Sequence, residues 1–292
     1  LELARVLAVP VVFSIAVPVL TQERPTFRTR TDLVEVDVAV RNGDVAVLGL
    51  SAADFRLFDN GVQQALEAVG MESVPIDVTL FHDTSPSLAG KIDALKRDVK
   101  EIAAMLRPMD RFRLLTFDMQ VNDVFGWQPA GGPLNLDGVK IGRISSVYDA
   151  IFLAMMHRPD VGRRHLIVAL TDCEDFGSVI GSATIEEAAR RSEGVLHIVK
   201  ITPRPANAMY FPLSAASIPA DARGERRLAA AAARTGGELH DPFIRNDAVK
   251  TFTKVFDDYR QSYVLRYAPH GVDRDGWHEI KVEVPGQPRA TV

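Results

Sequence analysis

The segment IDVTLFHDTSPS, residues 76–87, decides how the rest of the chain is read. Its first eight residues form a nearly continuous apolar run, as a strand covered on both faces requires. It closes on Asp83, Ser85 and Ser87 in a D-x-S-x-S arrangement. Leu88, Ile92, Leu95, Val99, Ile102 and Leu106 then recur at helical spacing until Pro108 stops the pattern. A strand feeding through a short polar turn into a helix is the repeating unit of a doubly wound sheet. Such sheets bind ligands at the carboxyl ends of their strands, near the point where strand order reverses.

The alternation continues outward from this segment. RFRLLTF (111–117) reads as a strand, the Gly- and Pro-rich stretch 126–138 as a loop, and VYDAIFLAMMH (147–157) as a helix. HLIVALTD (165–172) is a second buried strand, TIEEAARRS (184–192) a helix and VLHIVKIT (195–202) a third strand. ERRLAAAAARTGG (225–237) reads as a helix ended by glycine, and AVKTFTKVFDDYRQ (248–261) as another. The expected fold class is therefore α/β: a doubly wound, mostly parallel sheet with helices on both faces, over residues 73–261.

The flanks have a different texture. Val34, Val36, Val38 and Val40 alternate with polar or small residues, and Asn60-Gly61 between FRLFD and VQQAL reads as a hairpin turn. Period-two patterning returns in SYVLRYAP (262–269) and HEIKVEV (278–284). An N-terminal β segment (23–72) and a C-terminal one (262–292) are expected to pack together as a small β-rich appendage, since neither alone offers enough strands for a core. The apolar run 6–20, preceded by Arg5 and interrupted by Pro10 and Pro18, suits the h-region of a secretory signal over about residues 1–22 better than a membrane-spanning helix. An uncleaved anchor and a buried strand are the other readings of that run, and an anchor is the only route to a membrane. Export places the chain outside the cytoplasm: secreted, periplasmic or in the cell envelope.

Composition narrows the function. The 292 residues carry a net charge of −4 and 47% hydrophobic residues, enough for a packed core and without the basic face that nucleic-acid binding uses. Cys173 is the one cysteine, so no intrachain disulfide exists. The seven histidines show no metal-binding spacing. The chain lacks a phosphate-binding glycine loop with its lysine, an H-E-x-x-H and a G-x-S-x-G elbow. An aspartate-nucleophile phosphatase needs a second aspartate two residues on, and that position is Ser85.

What the two buried strands share is a carboxylate at the end: Asp83 on the first, Asp172 on the second. Ser145 and Ser146 lead into the intervening helix at Val147. Two carboxylates and three hydroxyls form an all-oxygen donor set, suited to a hard cation such as Mg²⁺, Mn²⁺ or Ca²⁺. Mg²⁺ keeps waters readily, so one position would stay open to a carboxylate from another molecule.

These pieces resemble the metal-ion-dependent adhesion site of von Willebrand factor A (VWFA) domains, whose pattern is D-x-S-x-S, then a threonine, then an aspartate. Asp83, Ser85 and Ser87 match the first element. Ser145 falls at the threonine position ahead of VYDA, and Asp172 in LTDCED falls at the aspartate of the family's L-T-D-G-E-D. The resemblance implies that Ser85, Ser87 and Ser145 bind the ion directly, while Asp83 and Asp172 often act through water. FRTRTDLVEVDVAV, LSAADFRLFDNG and DYRQSYVLRYAP are similar to flanking segments of the secreted bacterial VWFA-related Acidobacterial-type subfamily. The sequence departs from the pattern at Pro86 and Cys173, each in place of glycine, at Ser145 for threonine, and at Arg143-Ile144 for two glycines.

The implied function is non-catalytic, metal-dependent binding of a protein partner that offers an Asp or Glu carboxylate. A structural envelope module with a degenerate site, and a metal-dependent hydrolase, are the alternatives. Simpler roles stand beside the sharper ones. Asp83 and Asp172 could cap following helices, Glu174 and Asp175 could be solvated loop charges, His82 could pack, and Tyr148 and Trp127 could rim the site or sit in the core.

Overall fold

The computed structural model describes residues 33–43, 45–71, 74–201, 222–241, 248–273 and 275–292. The apolar run 6–20 lies outside them. Among the described residues no helix is long and apolar enough to cross a membrane.

The chain begins with β1 (Val34–Val38), β2 (Arg41–Asn42), β3 (Val45–Ala46), β4 (Arg56–Asp59), β5 (Val62–Gln64) and β6 (Leu66–Gly70). The alternating region follows as β7 (Ile76–Asp83), α1 (Ile92–Ala104), β8 (Arg111–Phe117), β9 (Val121–Pro129), α2 (Val147–Met155) and β10 (Arg164–Thr171). It continues with α3 (Ser182–Ala189), β11 (Gly194–Lys200), α4 (Ala222–Arg234), β12 (Leu239–His240) and α5 (Ala248–Arg260). β13 (Tyr263–Tyr267) and β14 (Ile280–Glu283) end it.

The central sheet has the order β12-β11-β10-β7-β8-β9, parallel throughout except for β9. All eight residues of β7 and all eight of β10 are buried. One face packs Phe81, Ile167, Ala169, Leu196 and Ile198 under α2, α3 and α4. The other packs Val78, Leu80, Leu166 and Val168 against Leu95, Val99 and Ile102 of α1 and Phe252, Val255 and Phe256 of α5. This is the expected α/β class, a sheet between two helical layers. After β7 the chain fills one side of the sheet with β8 and β9, then returns to place β10 on the other. The order therefore reverses between β7 and β10.

One element departs from the expectation. Residues 126–129, read as the start of a loop, belong to the antiparallel edge strand β9. Gly126 and Pro129 are tolerated there because an edge strand has one unpaired side and this one shifts register against β8. Its placement also corrects the position of Trp127. With Phe112 opposite Gln128, Trp127 lies at the amino end of β8, beside Arg113 (4.5 Å from guanidinium carbon to ring centroid) and His157 (centroids 5.6 Å apart). It does not rim the carboxyl end of the sheet.

The flanking strands pair across the length of the chain. β13 lies between β1 and β6, and β14 pairs with β4, which forms a hairpin with β5 through Asn60 (φ 47°) and Gly61 (φ 81°). Both turn residues are left-handed, as a tight two-residue hairpin requires. Leu57, Phe55, Tyr263, Leu265 and Tyr267 form the shared core. Arg164, at the start of β10, ties this unit to the central sheet. It lies 3.0 Å from the Asp37 carboxylate, donates to Ser262 Oγ at 2.6 Å and stacks on Tyr259.

His165, next in the strand, is wholly buried, and its Nε2 lies 2.8 Å from Thr79 Oγ1. Burial drives its pKa from 6.5 down to about 3. The unfolded chain thus takes up a proton near pH 6.5 that the folded chain refuses until about pH 3. The neutral ring's contribution is complete above the unfolded value and is lost as pH falls towards the folded one. Its slope is about 1.4 kcal/mol per pH unit. Urea unfolding at pH 7 and pH 5 should show His165→Phe losing less stability on acidification than the wild type, by about that slope. Equal losses would refute the assignment.

Candidate metal centre

Asp83 ends β7 and Asp172 follows β10 by one residue, so both stand at the carboxyl side of the strand-order reversal. Asp83 is fully buried and fixed from two directions. Its Oδ1 accepts the Ser85 N–H at 2.8 Å, and its Oδ2 accepts the Thr171 hydroxyl at 2.8 Å. The first of these bonds closes a turn that swings Ser85 and Ser87 to the Asp172 side. Ser85 Oγ and Ser87 Oγ are 2.9 Å apart, and Ser87 Oγ donates to Asp172 Oδ2 at 2.5 Å. The other Asp172 oxygen accepts the Glu174 N–H at 3.1 Å. Four of the five residues singled out in the sequence thus lie on one continuous set of side-chain contacts.

Ser145 joins from the third loop. Its hydroxyl donates to the Glu174 carbonyl at 2.5 Å, and its own carbonyl accepts the Phe176 and Gly177 N–H groups, each at 3.0 Å. It therefore adjoins the Asp172 loop, two residues from the carboxylate, rather than bonding to Asp83 directly. Neither aspartate caps the α-helix that follows it: α1 is preceded by Lys91 and α3 by Gly181.

The electrostatics favour a cation. Burial, and then the nearby Asp172 charge, push Asp83 up to about 7, despite its hydrogen bonds from Ser85 and Thr171. Burial also raises Asp172, against the pull of Ser87. Among the described residues no Lys or Arg forms an ion pair with either carboxylate. Two acids at close quarters in a low dielectric either hold a proton or neutralise a positive ion. The described residues hold no group of three or more His, Cys, Asp or Glu side chains placed for a metal. An ion here would thus rest on two carboxylates, hydroxyls and water. That donor set fits a hard divalent cation and not a thiolate- or imidazole-seeking one.

The loops around the pocket are braced by carboxylates that are not donors themselves. Asp118 Oδ2 accepts the Arg143 N–H at 2.7 Å, and the Asp118 carbonyl accepts the Ser146 N–H at 2.8 Å. Asp175, read from the sequence as a solvated charge, instead accepts the Tyr148 N–H at 3.3 Å and the Ser178 hydroxyl at 2.5 Å. Asp149 accepts the Val179 and Ile180 N–H groups at 2.9 and 3.1 Å. The Cys173 backbone takes φ 66°, a left-handed conformation in which glycine is at ease. Its thiol is buried, and burial raises its pKa, so it carries no thiolate chemistry. His82 points away from Asp172; its Nδ1 lies 2.7 Å from the Asp83 carbonyl, and burial lowers its pKa to about 4.

Sequence reasoning passed over Thr171 and Asp118. Thr171 had a readable signal: it precedes Asp172 on a buried strand, so alternation turns its hydroxyl to the opposite side of the backbone, where Asp83 lies. Asp118 had none, because its partners are backbone groups of a distant loop.

No family model and no curated protein matches the chain. Solved structures do resemble it. An aerotolerance-related membrane protein from Bacteroides fragilis aligns at 14% identity and TM-score 0.47, over 64% of this chain and 99% of that one. The ArnB paralog VWA2 from Sulfolobus acidocaldarius aligns at 13% and 0.44, over 76% and 52%. Proximal thread matrix protein 1 from the mussel byssus, solved with a zinc-occupied MIDAS motif, aligns at 14% and 0.45, over 70% and 50%. The doubly wound architecture of this chain stands on its own strand order.

Gly142 is the position where the bracing is most sensitive. A Cβ there would stand 2.0 Å from Asp118 Oδ2. Gly142→Ala should therefore expel the carboxylate, release the Arg143 N–H and lower unfolding stability by about 1–2 kcal/mol. An unchanged urea midpoint would show that the Asp118 brace is not needed.

Proposed function

We propose that this chain carries a von Willebrand factor A-type module of the secreted bacterial VWFA-related Acidobacterial-type group. In this reading it spans about residues 73–261, with the strands before and after it forming a β-rich companion. One divalent cation, Mg²⁺ or else Mn²⁺ or Ca²⁺, is held by Asp83, Ser85, Ser87, Ser145 and Asp172. The ion supplies a fixed positive charge with an open position for an Asp or Glu carboxylate of a partner protein. The chain's own residues bind and orient and move no proton on a substrate. The apolar run 6–20 supports a location outside the cytoplasm.

The observation that carries the reading is the contact path Ser85–Ser87–Asp172 beside Asp83, with both acids buried and neither in an ion pair among the described residues. The hydroxyls that would face an ion are satisfied by one another and by the carboxylate, which keeps them converged. His82 reaches the donor set through the Asp83 backbone carbonyl and not through a side chain, which does not fit a proton-moving role.

Millimolar Mg²⁺ or Mn²⁺ should raise the melting temperature of the purified protein. At about 100 times Kd the gain is about 2.7 kcal/mol, or roughly 5–10 °C for a chain of this size. Asp83→Ala should abolish the shift while leaving a folded protein. A wild type indifferent to both ions would leave a structural module with a degenerate site. Metal-dependent hydrolysis of a generic phosphoester would instead revive an enzyme.

A further inference from the structure

Large exposed apolar side chains cluster beside the pocket. Met119 (48% exposed), Ile144 (40%), Phe176 (48%) and Val179 (93%) all lie on turns at the carboxyl end of the central sheet. Backbone contacts place them in one arc. The Asp118 turn that carries Met119 is bonded to Arg143 and Ser146, on either side of Ile144 and Ser145. Ile144 Cδ1 lies 3.5 Å from where a Cβ on Gly177 would stand, so its side chain leans on the loop that carries Phe176. Phe176 is bonded through its N–H to the Ser145 carbonyl, and Val179 through its own to Asp149 in the first turn of α2. The arc thus runs along the Ser145 side of the donor set. Arg143 is exposed between Met119 and Ile144 and has no ion-pair partner among the described residues.

We infer that the partner segment presents its carboxylate next to a bulky apolar residue, as in a Leu-Asp or Phe-Asp pair at a turn. The inference rests on the metal-binding reading and specifies the partner. Folding gives no reason for four large apolar groups on solvated turns, where they cost solubility and add nothing to the core. A carboxylate bound to the ion fixes one point of the incoming chain. In an extended segment adjacent side chains point to opposite faces, so a turn at the pair is what brings the neighbouring side chain to the carboxylate's side. There it is laid against Phe176 and Ile144. Arg143 adds attraction for an acidic segment. The arrangement is a charge-directed centre with an apolar flank, and the flank supplies the buried apolar contact that a specific interface uses.

The test uses the full chain saturated with Mn²⁺ and three end-capped hexapeptides: Gly-Gly-Leu-Asp-Gly-Gly, its Ser-Asp counterpart and its Leu-Asn counterpart. Binding is read by isothermal titration calorimetry. The Leu-Asp peptide should bind about tenfold more tightly than the Ser-Asp one, and the Leu-Asn peptide should not bind. Val179→Ser and Phe176→Ser should bring the Leu/Ser ratio towards one while the Mn²⁺ melting shift is retained. Val179 is so exposed that its loss cannot unfold the protein, which keeps the experiment decisive if Phe176→Ser is unstable. A retained Mn²⁺ shift with equal Leu-Asp and Ser-Asp binding overturns the apolar flank alone. A wild type without the Mn²⁺ shift overturns the metal reading and this inference with it.

Discussion

Two carboxylates brought together inside a protein dominate the carboxyl end of this sheet. Asp83 ends β7 and Asp172 follows its parallel neighbour β10, on either side of the place where strand order reverses. Between these two strands the chain departs in opposite directions, and the gap admits polar groups. The cost of burying both charges is visible in Asp83, whose pKa burial and then the Asp172 charge push up to about 7. Folding supplies the energy to hold the acids together through the apolar packing of β7 and β10. Under the proposed reading, that unfavourable proximity would be stored as affinity for positive charge.

Stored affinity is useful only if the hydroxyls stay aimed, and the loops show how that is done. Asp118, Asp149 and Asp175 are spent on backbone N–H groups of neighbouring turns. Each such bond is charge-assisted and short-range, so it fixes a turn without competing for the ion. The result is a shell in which Ser85, Ser87 and Ser145 are held by bonds to other donor-set or loop atoms. Such a second layer is what separates a preorganised site from a set of residues that merely lie close.

How much of this was legible in the sequence differed by kind of information. The buried strands, their terminal acids and the intervening serines could be read because each depends on local pattern: an apolar run, a polar turn, a helical period. The strand β9 could not, because Gly126 and Pro129 are loop residues by propensity, and only the open edge of the sheet makes them acceptable. The misplacement of Trp127 followed from the same cause. Asp175 looked solvated because its two partners, Tyr148 and Ser178, meet it only through the folding of two separate loops. Cys173 shows the reverse situation. Its left-handed φ explains why a glycine suits that position, while its buried side chain packs with the helix-covered face of the sheet. The strain of a side chain there is about 1 kcal/mol, small enough for such packing to offset.

The β-rich unit follows from the same strand that carries Asp172. β10 begins at Arg164, which is pinned to Asp37 of β1, to Ser262 and to the Tyr259 ring, and it ends at Thr171, which holds Asp83. Arg41 of β2 adds a second tie at Asp258, near the end of α5. Both ties lie at the amino end of the central sheet, so the β unit is fastened at the pole opposite the two carboxylates. A rigid strand of eight buried residues separates the two ends. A chain held through its β unit therefore turns the acid-bearing face outward, with the exposed turns of Ile144 and Phe176 beside it. The geometry needs no hinge to present that face. It requires only that the Arg164 contacts remain dry and intact, since a buried guanidinium without its partners would loosen the strand whose far end carries the site.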